Sequence, residues 1–100
     1  MKTYQTMYQN EIRALEITIR DQDGNTFAPD TAYFSVYDED GVAVGNVPEN
    51  QSAQVTNNTV IALIGTATTA QLGVYHIVWK IVKNSYTYYH TTYLEVLPII

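Results

Sequence analysis

Between Leu72 and Val82 the chain places Tyr75, Ile77, Trp79 and Ile81 on every second position, the two-residue period of a strand with one buried face. His76 and Lys80 share the opposite face with Val78 and Val82, so that face is mixed. The pattern predicts a central strand of a two-layer β structure, with Trp79, the only tryptophan, in the middle of its apolar side. Shorter stretches repeat the period. Leu15, Ile17 and Ile19 alternate with Glu16, Thr18 and Arg20, which predicts a half-buried strand over residues 12–20. Ala32, Phe34 and Val36 face one way in a strand over 31–37, and Tyr33, Ser35 and Tyr37 the other. All of these apolar positions are expected to face a single core.

Turn residues divide the strands. Asp21-Gln-Asp-Gly-Asn25 ends the first, with Gly24 able to adopt positive φ. Thr26–Asp30 reads as a connector that tucks Phe27 into the core. Asp38-Glu-Asp-Gly41 reads as a hairpin turn returning through a short strand at 42–44, followed by a surface loop over 45–51. Residues 53–56 and 59–64 form a second hairpin candidate around Asn57-Asn58. A single helical turn is the most that 66–72 could hold. Lys83-Asn-Ser85 turns the chain into a last strand over 86–96, where a break in alternation near His90–Thr92 predicts a bulge. Tyr75 fits a tyrosine corner, in which a hydroxyl near the start of a late strand bonds the upstream backbone. Residues 1–10 fit no clean period. They read either as a frayed end or edge strand, or as an arm that orders against a partner with Tyr4 and Tyr8 as anchors. About seven or eight short strands with almost no helix predict an all-β antiparallel sandwich over residues 11–100, preceded by the segment 1–10.

Composition narrows the functional classes. The chain has 100 residues, 46% of them hydrophobic and 12% aromatic, enough for one core without staples. Its net charge of −5 and scattered basic residues argue against nucleic acid and anionic membranes as partners. There is no cysteine, which excludes disulfides, thiol chemistry and cysteine-ligated metal. The first ten residues lack the apolar core of a secretion signal, and no stretch is long enough to span a bilayer, so a soluble protein is expected.

Candidate chemistry is sparse. The run from Asp21 to Asn25 carries oxygen side chains at close spacing, but its glycine comes too early for a calcium loop and no matching ligand set follows. His76 and His90 lack the partner spacing of a zinc site. The serines at 35, 52 and 85 sit in no strained nucleophile turn. Neither a catalytic role nor a cofactor is expected. The tyrosines are the unusual feature. Tyr86, Tyr88, Tyr89 and Tyr93 crowd the last strand, where alternate members must point to opposite faces, so they cannot all be core. They read as β propensity on a solvated sheet, as a protein interface, or as sugar-stacking platforms. Tyr4, Tyr8, Tyr86, Tyr89 and Tyr93 are the candidate interface residues.

The order of these motifs has a counterpart. A strand ending in Asp-x-Asp-Gly-Asn (21–25) precedes one ending in Asp-Glu-Asp-Gly (38–41); Leu-Gly-Val-Tyr (72–75), Tyr-His-Ile-Val-Trp-Lys-Ile (75–81) and Tyr-Leu-Glu-Val (93–96) follow. Over residues 11–96 the chain resembles the small immunoglobulin-like virion proteins of tailed bacteriophages. It is similar also to the N-terminal module of phage baseplate upper proteins. The resemblance implies an immunoglobulin-like sandwich in a non-enzymatic structural part of a virion, made in the host cytoplasm, present in several copies and contacting other virion proteins. His90-Thr91-Thr92 stands where such proteins tend to have proline, glycine or aspartate. A baseplate receptor-binding assembly would continue beyond Ile100, which favours a small component of head, neck or tail. The alternative is a carbohydrate- or host-surface-binding module.

Overall fold

The computed structural model describes residues 4–44, 49–65 and 72–99. Among them are eight strands and no helix: β1 (Tyr4–Tyr8), β2 (Arg13–Thr18), β3 (Thr31–Tyr37), β4 (Gln51–Ser52), β5 (Gln54–Thr56), β6 (Thr59–Ile64), β7 (Gly73–Lys83) and β8 (Tyr86–Leu97). They form a five-stranded sheet in the order β1-β8-β7-β3-β4 and a three-stranded sheet in the order β2-β6-β5. Leu15, Ile17 and Ile19 meet Phe34, Val36, Tyr75, Ile77, Trp79 and Ile81 in one core, as their alternation predicts. Trp79 is fully buried.

The two aspartate turns are built alike. Oδ1 of Asp21 accepts the backbone N–H groups of Asp23 and Asn25, and Oδ1 of Asp38 accepts those of Asp40 and Val42. In each, the following glycine has positive φ and donates its N–H to the aspartate carbonyl. The sequence logic of both turns is thus local: a side chain stands in for the backbone acceptor that the reversing chain lacks.

Four expectations are corrected. The pairing is not antiparallel throughout, because β1 runs parallel to β8, with Tyr4 opposite Tyr93 and Tyr8 opposite Leu97, so the larger sheet is mixed. The bulge near His90–Thr92 is absent: β7 and β8 pair without a skip from Gly73↔Val96 to Lys83↔Tyr86. The alternation blurs there because covering is lost while the register holds. Tyr86 and Tyr88 lie on the side of β8 that carries Leu94 and Val96, yet they are 68% and 49% exposed, whereas Leu94 is buried. The strand expected at 42–44 shrinks to one bridge, Tyr37↔Ala43. Of the loop expected over 45–51, residues 45–48 lie outside the described residues, and its last residue, Gln51, begins a short strand, β4, on the edge of β3. The helical turn expected at 66–72 falls mostly on residues 66–71, outside the described residues.

β1 crosses to the second sheet through a tight turn. Asn10 has a φ of 64°, Glu11 donates its N–H to the Tyr8 carbonyl, and the Glu11 carboxylate accepts the Tyr8 N–H at 2.9 Å. Met7 is buried in the core. Gln5 works as a clasp. Trp79 Nε1–H donates to Thr92 Oγ1 at 2.9 Å, Thr92 Oγ1–H donates to Gln5 Oε1 at 3.0 Å, and Gln5 Nε2–H reaches the Glu16 carbonyl on β2 at 3.3 Å. One chain of hydrogen bonds therefore satisfies the buried indole and joins the two sheets.

Candidate functional site

The larger sheet turns one face to the core, and its opposite face carries most of the unusual side chains. Cross-strand register sets them in rows. Tyr33 lies opposite Lys80 and Lys80 opposite Tyr89; Tyr37 lies opposite His76 and His76 opposite Tyr93. Between these rows Val78 sits between Ser35 and Thr91. Each row thus has a nitrogen-bearing side chain of β7 flanked by tyrosines from its neighbours. The Lys80 ammonium stands 5.7 Å from the Tyr33 ring centre, within cation–π range. The His76 and Tyr93 rings meet edge to face at 4.9 Å.

Two further groups fix the β3 side. The Tyr37 hydroxyl donates to Glu49 at 2.8 Å, and this bond, aided by burial, raises the pKa of Tyr37. Ser35, buried although it points away from the core, accepts the Asn50 N–H at 2.8 Å. The chain at 49–50 therefore closes over part of β3. The β7–β8 half of the face has no such cover among the described residues.

The candidate interface residues do not form one patch. Tyr8 ends β1 in an exposed position, paired with Leu97. Tyr89 is 67% exposed on the outer face, and Tyr93 is half-buried beside His76. Tyr86 closes the β7–β8 hairpin and points to the opposite side, with Tyr88. Tyr4 is placed at the start of β1 by its backbone pairing with Tyr93, and its side chain lies outside the described residues. Lys80 and His76, which the tyrosines flank, were not singled out as interface residues in the sequence. Their alternation with valine marked a mixed face, but their tyrosine neighbours depend on long-range register.

On the Tyr86 and Tyr88 side an open cleft of about 820 Å³ separates the hairpin from the Asp21 turn. Phe27 and Tyr88 form its aromatic wall, edge to face at 6.1 Å, with Arg20, Asp23, Lys83 and His90 around them. Lys83 is held by Asp30 at 3.7 Å, and Arg20 donates to the Gly24 carbonyl at 3.1 Å. No group of three or more histidine or acidic side chains among the described residues could hold a metal ion. The carboxylates of Asp21 and Asp38 are occupied by their own turns.

The chain matches no known family model and no curated protein.

Proposed function

We propose that this protein is a non-enzymatic structural component of a tailed-phage virion, working through protein–protein contacts made by β8 and the tyrosine rows beside it. One observation carries the reading. From Tyr86 to Leu94 the chain has no Asp, Glu, Lys or Arg, on a protein whose net charge is −5, and this stretch exposes Tyr86, Tyr88 and Tyr89. Depletion of charge with enrichment in tyrosine is the compositional mark of an interface core. Large aromatic side chains supply contact area at low cost in side-chain entropy.

The fold belongs, on this reading, with immunoglobulin-like sandwiches. The order β8-β7-β3-β4 against β2-β6-β5 corresponds to strands G-F-C-C′ against B-E-D of the variable type, with β1 added beside β8. Tyr75 then falls near the start of strand F, where a tyrosine corner belongs, and its burial supports that position. The tryptophan departs from the antibody pattern, since Trp79 stands on strand F and Phe34 on strand C, their ring centres 6.3 Å apart.

The test is to purify particles of the phage whose genome encodes the chain and to quantify it in them by mass spectrometry. A fixed copy number that survives a density gradient supports the proposal, and absence from washed particles rejects it. The cleft beside Phe27 and Tyr88 favours a second reading, a carbohydrate-binding module, because an aromatic wall among polar side chains suits a sugar ring. Binding on a glycan array that Tyr88→Ala abolishes would favour it.

A further inference from the structure

Among the described residues, the outer edge of β8 is paired along only part of its length. β1 covers Tyr93–Leu97, and among the described residues nothing pairs with the remainder, residues 86–92. Every residue from Tyr86 to Thr91 is exposed. The usual devices that blunt an edge strand, namely lysine, proline, an inward charge or a bulge, are all missing from this stretch.

The direction of its backbone groups follows from the hairpin turn. Asn84 and Ser85 have φ of 51° and 69°, the left-handed pair of a two-residue type I′ turn. Such a turn is closed by a hydrogen bond from Tyr86 N–H to the Lys83 carbonyl, so Tyr86 points its backbone groups at β7. Antiparallel pairing alternates these directions residue by residue. Tyr88 and His90 therefore bond inward to β7, while Thr87, Tyr89 and Thr91 direct N–H and C=O outward, to no partner among the described residues. The carbonyl of Leu97, further along the same parity, accepts the Gln9 N–H at 2.8 Å on the β1 side, consistent with that assignment.

We propose that this edge pairs antiparallel with the same edge of a second copy of the chain, about a two-fold axis through Tyr89. The proposal rests on the reading that β8 is a protein-contact strand and names its partner. Among the described residues the slot runs from the turn at Ser85 to the first β1 pair, Tyr4 opposite Tyr93, and its midpoint is Tyr89. Because Tyr89 is one of the outward residues, it can exchange both backbone hydrogen bonds with Tyr89 of the second copy. In the same register Thr87 exchanges them with Thr91 of the second copy, and Thr91 with its Thr87. The side-chain pairs are then tyrosine on tyrosine and threonine on threonine, both favourable across strands. Charge points to the same place. Two copies that each carry −5 repel overall, and this uncharged stretch lets them meet without like charges face to face.

The experiment is sedimentation equilibrium of the intact chain from about 1 to 100 µM, the range of a moderate affinity. The parent is expected to form a dimer. Tyr89→Lys and Tyr89→Glu should each be monomeric, because the axis sets each new charge against itself, and an equimolar mixture of the two should dimerise again. Tyr89 is well exposed, and the fluorescence of buried Trp79 reports that each variant is folded. A parent that stays monomeric, a dimer that survives in both variants, or a mixture that stays monomeric would overturn the proposal; the first outcome would leave the edge to a different chain, and the last would remove Tyr89 from the two-fold axis. A monomeric parent that is nonetheless found in particles overturns self-pairing alone. A dimer never found in particles overturns the virion reading alone.

Discussion

Replacing Thr92 with valine isolates the hydrogen-bond chain that ties β1 to the core. The two side chains are close in volume, so the change removes a hydroxyl while leaving the packing nearly as it was. Trp79 Nε1–H, fully buried and bonded to Thr92 Oγ1 at 2.9 Å, is then left without an acceptor. An unsatisfied buried donor costs about 1–3 kcal/mol. Gln5, half-buried at the edge, loses the Thr92 hydroxyl as a donor at the same time, but water can replace it at lower cost. Thr92→Ser keeps the hydroxyl and gives up one methyl group, a loss of about 0.8 kcal/mol. The valine variant is therefore expected to be the less stable, despite being the more apolar. For a domain of this size each kcal/mol lowers the melting temperature by roughly 4–8 °C, so thermal unfolding followed by circular dichroism resolves the order. In the double variant Thr92→Val/Trp79→Phe the orphaned donor is gone, and the summed losses of the single variants should exceed the measured one. If the valine variant melts at or above the serine variant, and the cycle shows no coupling, the clasp does not stabilise the fold.

Other expectations follow from the same core and turns. Trp79→Ala should cost about 3–5 kcal/mol; a fall in melting temperature below about 2 °C would contradict its placement between the sheets. Met7→Ala should cost about 2–5 kcal/mol, and an unchanged melting temperature would mean that β1 is not docked. Millimolar calcium should leave the melting temperature unchanged, because Asp21 and Asp38 already accept two backbone N–H groups each. Saturable stabilisation by calcium would contradict this. Burial, and then the charge of Asp38, raise the pKa of Tyr75 above 10.0. The native state therefore holds that proton longer than the unfolded chain does. Its contribution is complete below the unfolded value and is lost as pH rises through the folded one. Tyr75→Phe should remove that part of the alkaline loss of stability, and an identical alkaline profile in both proteins would contradict it.

The core was legible because alternation marks it directly. Positions 15, 17 and 19, 34 and 36, and 75 to 81 each carry a period-two signal, and burial follows it. The aspartate turns were equally legible, since their hydrogen bonds close within five residues of chain. β1 was not. Its inward positions are Gln5 and Met7, and a polar inward residue erases the alternation unless its partners Thr92 and Glu16 are known. The false bulge has a related cause: Tyr86, Tyr88 and His90 keep the inward parity of β8 but lie where the core has ended. The tyrosine count singled out β8, but the flanking of Lys80 and His76 depends on pairing between strands distant in sequence.

β1 belongs to the larger sheet as well as to the candidate contact surface. Deleting residues 2–10 would take away Met7 and Gln5, so loss of incorporation would report on folding as much as on contact. The cleaner measurement is the copy number, in purified particles, of the full chain carrying Tyr86→Ser and Tyr89→Ser, changes confined to side chains 68% and 67% exposed. Its melting temperature is checked against the parent. A variant as stable as the parent but depleted from particles by tenfold or more, about 1.4 kcal/mol or more in binding, is the predicted result. Equal incorporation of an equally stable variant would contradict the assignment of β8 as the contact strand.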